Sequence, residues 1–264
     1  MKKIILLLCL ISSLSLSAKT VIVSDIDDTI KIAGVKAGIG KMIKYAFNTK
    51  VYFKGMPEVL NELVKLDNDT KVIYLSNAKK WLMNKFHNKL LRKGNFPVDQ
   101  VILRKKLSSK EHKLIKLREI IKENNPDTMI LIGDNGQDDA AFYDQISKEY
   151  KNIVFHQFIR LVYSGKKFTD KILNNQTMFV SPIEIAAYFK LLNNDNRFDA
   201  IIENTVNFLS EKNKTTLLLR KYSKGPKYFP KWLDCSGYSW PFGDKLKDDK
   251  SVHSYLKYLQ VKCR

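Results

Sequence analysis

A chain of 264 residues with 44% hydrophobic side chains is long enough for one substantial core, or one core and a smaller appendage, and too apolar for a disordered or fibrous protein. Its 46 basic and 27 acidic side chains give a net charge of +19, which favours polyanions or anionic membrane surfaces as partners and says nothing about fold.

Lys2 and Lys3, the apolar run Ile4 to Ile11 and the stretch Ser12 to Ala18 have the basic, apolar and small-residue order of a secretory signal peptide, with cleavage expected near Ser17 or Ala18. The run is shorter than the roughly 20 residues that a membrane-spanning helix needs. The mature protein is therefore expected to be periplasmic or secreted. Cleavage would remove two lysines and Cys9, leaving a charge of +17 and the even pair Cys235 and Cys263. In an oxidising compartment that pair can bridge, worth about 3–4 kcal/mol on the chain-entropy model, or stay as two thiols.

From Thr20 to Arg160, short β-rich runs alternate with amphipathic helical stretches, the pattern of a parallel sheet covered on both faces. Five strands are expected: Val21 to Ser24, Lys71 to Leu75, Val101 to Leu103, Met129 to Ile132 and Ile153 to Ile159. Between them, Val59, Leu60, Leu63 and Val64 follow Pro57 at helical spacing, and Leu82, Phe86 and Leu90, then Leu114, Leu117 and Ile121, repeat the pattern. After Arg160 the alternation stops. The rest, residues 164–264, reads as a mainly helical C-terminal extension, with a capping box at Ser181 to Glu184 and helices at Phe198 to Leu209 and Val252 to Val261.

Loops at the carboxyl ends of parallel strands converge on a ligand crevice. Here they read Ser24-Asp25-Ile26-Asp27-Asp28-Thr29, Ser76-Asn77 and Gly133-Asp134 through Asp138-Asp139. Two carboxylates about 4 Å apart repel by roughly 4 kcal/mol at an effective dielectric of 20, so Asp25, Asp27, Asp134 and Asp138 need a cation among them. An all-oxygen donor set without His or Cys selects a hard ion, and Mg²⁺ suits a site with few carboxylates and room for phosphate oxygen and water. Lys113, in the first turns of the helix before strand four, is placed to add a second positive charge.

The spacing Asp25-x-Asp27-x-Thr29, Ser76 after strand two, Lys113 before strand four and Gly133-Asp134-x-x-x-Asp138 resembles the four motifs of the haloacid-dehalogenase-like phosphatase superfamily. That resemblance implies a Rossmann-like α/β fold. Ser24 to Lys31, Phe53 to Glu58, Tyr74 to Asn77, Leu103-Arg104, His112-Lys113 and Leu131 to Asp138 resemble, more closely, the catalytic domain of the actin-patch phosphatidate phosphatase family, whose chemistry is similar to that of lipins. Three departures stand out: Asn135-Gly136 replaces a usual Ser-Gly, Asn77-Ala78-Lys79 a usual Asn-Ser-Pro, and the resemblance does not extend into the tail after Arg160.

The resemblance implies that Asp25 attacks phosphorus to form an aspartyl-phosphate while Asp27 serves as general acid and then base. It implies Mg²⁺ held by the Asp25 carboxylate, the Asp27 carbonyl and Asp134, with Asp138 in support and Asp139 its rival, and phosphoryl oxygens held by Thr29, Ser76, Asn77 and Lys113. The insert after the first motif spans only Lys31 to Tyr52, a minimal cap that leaves the site open to large or surface-bound phosphoesters. Phosphatidate or another lipid phosphate is the expected substrate; a polynucleotide phosphatase and a non-catalytic phosphatidate-binding module are the alternatives. In the tail, Lys212, Lys214, Arg220, Lys221, Lys224, Lys227 and Lys231 are interleaved with Tyr222, Tyr228, Phe229 and Trp232. That mixture fits an anionic membrane surface, a single-stranded nucleic acid, or a solvated basic face with ordinary packing aromatics.

Overall fold

The structure is a computed structural model that describes residues 19–106, 108–214 and 226–263. The apolar runs form six parallel strands: β1 (Thr20–Ser24), β2 (Lys71–Lys79), β3 (Gln100–Arg104), β4 (Thr128–Asp134), β5 (Val154–Arg160) and β6 (Thr177–Phe179), in the spatial order β3-β2-β1-β4-β5-β6. One strand more is present than the sequence pattern predicts. β6 is only three residues, too short to show alternation, and its partner β5 rather than its own composition makes it a strand.

The helices are α1 (Ile39–Ala46), α2 (Met56–Val64), α3 (Lys80–Lys93), α4 (Ser109–Asn124), α5 (Asp139–Glu149), α6 (Lys166–Thr169), α7 (Pro182–Asn193), α8 (Asp199–Lys214) and α9 (Lys250–Lys262). Alternation along the strands splits the core in two. Val21, Val23, Met129 and Leu131 pack with Leu117, Ile120 and Ile146 of α4 and α5, while Ile22, Ile130 and Phe158 pack with α2 and α3 and with Ile183, Phe189, Val206 and Tyr255 of the C-terminal helices. Ser181 caps α7 through the reciprocal bond with Glu184 that the sequence predicts. Glu184 is itself buried and accepts from the Tyr255 hydroxyl at 2.6 Å, which ties α9 to α7.

Cys235 and Cys263 form a disulfide that joins the segment before α9 to its end. The tail aromatics serve packing: Tyr228 is buried against Phe208, Phe229 lies against Tyr258, and Trp232 stacks on Tyr163. The side chains of Lys212 and Lys214, and Arg220, Lys221, Tyr222 and Lys224, lie outside the described residues, as do Lys2 and the rest of the expected signal peptide. Among the described residues no helix is long and apolar enough to cross a membrane.

Connections leave β1 toward β2 on one side, whereas β4 leads to β5 on the other. The two central strands thus form a topological switch point, where the loops beyond their carboxyl ends diverge and leave a crevice.

Candidate active site

Asp25 follows β1 at this switch point, and its N–H donates to the Ile132 carbonyl of β4 at 2.8 Å, continuing the ladder one residue past Ser24. The register places Ser24 beside Tyr74 and Ile132, so Ser76 and Asp134 both lie two residues beyond that level, on the two flanking strands. Asp25, Ser76, Lys113, Asp134 and Asp139 are all buried.

Asp25, Asp134 and Asp139 each bring a carboxylate oxygen within 4.8 Å of the other two. Lys113 Nζ donates to Asp25 Oδ1 at 2.8 Å and to Asp139 Oδ1 in a very short contact. Thr29 Oγ1 donates to Asp25 Oδ2 at 3.3 Å. Asp134 Oδ1 accepts the Gly136 N–H at 2.7 Å, whereas buried Asp134 Oδ2 has no partner among the described residues. Gly133 makes the approach of Asp139 possible, because a Cβ there would lie 2.7 Å from the Asp139 side chain.

One ammonium therefore bonds two of the three carboxylates. Burial raises Asp25 to about 7, aided by Asp139 and Asp27 and opposed by Lys113. Asp134 is pushed in the same direction by burial and then by Asp139 and Asp25. Burial alone would depress Lys113, but Asp139 and Asp25 outweigh it and keep its charge well above the ordinary range. An orphaned buried oxygen beside two further carboxylates, with no nitrogen or sulfur donor, fits a hard divalent ion such as Mg²⁺.

A carboxyl that binds its proton more tightly folded than unfolded lowers stability as pH rises from its unfolded value to its folded one. For Asp25 that window runs from 3.8 to about 7. In the presence of a chelator, the melting temperature should fall as pH is raised across this window, and Mg²⁺ should restore more of it at the upper end than at the lower. Thermal unfolding at both ends checks this; a chelated protein that gains stability over the window contradicts it.

Asp27 occupies a different environment. Its carboxylate lies 3.3 Å from Lys31 Nζ and 3.2 Å from His87 Nε2. Burial would raise it, but Lys31 and His87 prevail and hold it well below the usual carboxylate range. Lys31 Nζ also donates to the Ala46 carbonyl at 2.5 Å, so the end of α1 is pinned to this side chain. Asp28, with φ of 67°, does loop work: it accepts from the N–H groups of Ala33, Gly34 and Val35 and from the Tyr163 hydroxyl at 2.5 Å.

Ser76 Oγ accepts the Ala78 N–H, and Asn77 is held by Arg104 Nε on its carbonyl and by Gln137 through its amide. Buried Asn77 Oδ1 has no hydrogen-bond partner among the described residues. Asp138 does not join the cluster: it sits at the N-cap of α5, its side chain is 46% exposed, and it pairs with Lys171 at 3.4 Å. Its neighbour Asp139, one position on, points inward instead.

Residues 20–161 match the model of one protein family, described as phosphatidate phosphatase APP1, catalytic domain. The chain belongs to this family. The APP1 catalytic segment contains Asp25, Asp27, Lys31, His87, Lys113, Asp134 and Asp139, so the whole cluster lies within the matched residues. No curated protein matches the chain. It is similar to chains in the structure of the Pnkp1/Rnl/Hen1 RNA repair complex and in a second structure of the Pnkp1/Rnl/Hen1 complex, each at 16% identity and a TM-score of 0.37. Those matches span 54% and 55% of this chain but 43% and 47% of theirs, and they carry no functional argument.

Lys31 and His87 touch Asp27, Arg104 and Gln137 touch Asn77, and Arg160 touches the Asp25 loop; His87 and Arg160 have no signal in the motif spacing. Arg160 is fully buried between Phe53 and Phe179, its guanidinium lowered to about 9 by burial. It donates to the carbonyls of Thr29 at 2.9 Å and Val180 at 2.6 Å, fixing the loop that carries Asp25 to the segment after β6. The Arg104 and His112 positions belong to strings that resemble the family, but their contacts with Asn77 and the Ser76 backbone arise only on folding.

Proposed function

We propose that the protein is a Mg²⁺-dependent phosphomonoester hydrolase that acts on phosphatidate through a phosphoenzyme formed on Asp25. The observation that carries this reading is the cluster itself: Asp25, Asp134 and Asp139 gathered around Lys113 at the switch point, with Asp134 Oδ2 left unpaired. Asp25 and Asp134 would hold the cation with the Asp27 carbonyl, while Asp139 steadies Lys113. When bound, Mg²⁺ would offset the charge of the carboxylates and of a phosphoryl group.

In the first half-reaction an Asp25 carboxylate oxygen bonds to phosphorus as the bond to the leaving oxygen breaks, and that oxygen takes a proton from Asp27. In the second, water attacks the same phosphorus and passes a proton to Asp27, the bond to Asp25 breaks, and phosphate leaves. Lys31 and His87 keep Asp27 anionic, the state needed to activate water. A phosphate dianion arriving beside it raises its proton affinity and so favours the acid state needed first. Lys113, Thr29, Ser76 and the Asn77 N–H would hold the phosphoryl oxygens.

Phosphatidate is favoured by the family membership and by an insert from Lys31 to Tyr52 that contributes one short helix among the described residues. Export is favoured by the N-terminal residue order and by the bonded Cys235 and Cys263. The test is kcat/KM for phosphatidate in micelles, a 5′-phosphorylated oligonucleotide and a small sugar phosphate, each with Mg²⁺ and with chelator. Phosphatidate should be preferred by at least about tenfold, with chelator abolishing release. A sugar phosphate preferred by that margin, or release indifferent to chelator, contradicts the proposal.

A further inference from the structure

The insert that follows the Asp25 loop has an unusual surface. α1 carries Ile39, Met42 and Ile43 at helical spacing with Phe47 just beyond, and none of its residues is buried. Ile39 is 74% exposed and Ile43 60%, while the first turn of α3 adds Trp81, 77% exposed, and Leu82. Phe47 meets Phe86 of α3 with ring centroids 5.0 Å apart, so the two helices that carry these exposed apolar groups touch at the end of α1. Single exposed apolar residues need no explanation, but a contiguous set of large ones marks a contact surface.

Charge indicates what that surface meets. From Ile30 to Pro57 and again from Lys71 to Val98 the chain has no Asp or Glu, and Lys36, Lys41, Lys44, Lys79 and Lys80 are exposed around the apolar stripe. A short helix with an apolar stripe and lysines, in contact with a second helix whose first turn exposes a Trp, has the composition of elements that lie in a bilayer interface with their cations among anionic headgroups. Both helices are also tied to Asp27: Lys31 Nζ links the α1 end, through the Ala46 carbonyl, to its carboxylate, and His87 links α3 to the same group.

We propose that α1 and the first turn of α3 form a docking face for an anionic lipid bilayer, which seats the Asp25 crevice against the headgroup layer. Docking itself does not depend on catalysis; only its purpose, delivery of a lipid phosphate, rests on the function proposed above. The tail aromatics, by contrast, are engaged in packing.

The test uses the full mature chain, its Ile39→Asp/Ile43→Asp variant and its Trp81→Ala variant, with flotation on vesicles of phosphatidylcholine alone and of phosphatidylcholine with phosphatidylglycerol. Wild type and Asp25→Asn should float with the anionic vesicles and not with the neutral ones. The double variant should bind at least about tenfold more weakly, and Trp81→Ala several-fold more weakly. Both surface variants should keep wild-type hydrolysis of a water-soluble phosphomonoester, which shows that they are folded. Wild type that fails to float, a double variant that floats as well as wild type, or an apolar stripe that instead drives self-association without vesicle binding, overturns the proposal. Flotation by a wild type that hydrolyses no ester would leave docking standing and remove the phosphatase reading.

Discussion

Asp25→Asn should lower kcat by about four orders of magnitude or more and leave the protein folded. The substitution keeps the shape that Lys113 and Thr29 grip but replaces a charged nucleophilic oxygen by a neutral amide. Because the amide also removes one charge from three crowded carboxylates, the chelated variant should be at least as stable as chelated wild type. Phosphate release from phosphatidate, with thermal unfolding alongside, checks both parts. A variant whose rate stays within about tenfold of wild type would remove Asp25 from the covalent role.

Lys113→Met should have the largest effect on stability. Lys113 is buried and is the cation that directly bonds Asp25 and Asp139. Its loss strands two buried carboxylates, a change that typically costs about 3–5 kcal/mol. Denaturant unfolding in chelator measures it. Removing one stranded charge as well, in Lys113→Met/Asp139→Asn, should recover part of that stability and none of the activity, since Asp25 still lacks its cation. A single variant as stable as wild type would mean that the contacts among these groups are energetically slack.

The parts of this architecture that were legible in the sequence are those whose signal is local. β1, β2 and β4 are continuous apolar runs because both faces of a parallel sheet are covered, and Pro57 and the Ser181 to Glu184 box mark helix starts by their own chemistry. Asp25 and Asp134 follow from their places just past, and at the end of, two such runs. What the sequence could not show depends on phase or on distance. Asp138 and Asp139 differ by one helical step, so which of them faces the crevice is set by where α5 starts, and Asp138 takes the N-cap. Asp28, next to Asp27 in the same acidic loop, spends its oxygens on the N–H groups of Ala33, Gly34 and Val35 and on Tyr163.

Other features needed the assembled fold. His87 is a long way from Asp27 in sequence and meets it only because α3 packs with that face inward. Arg160 ends a strand like many basic residues, yet its contacts with Thr29 and Val180 make it a brace for the loop of Asp25. α1 did have the apolar spacing of a helix, but it is short, has Gly38 at its N-cap and Gly40 in its first turn, and buries nothing that would stabilise it as part of the core.

Acid-quenched wild-type protein, mixed with Mg²⁺ and phosphatidate carrying labelled phosphorus, offers the most direct measurement. Label should be recovered on the peptide that contains Asp25, on that residue, and should be absent with chelator or in Asp25→Asn. Label on another side chain, or turnover of phosphatidate with no protein-bound phosphate at any quench time, would contradict the covalent route through Asp25.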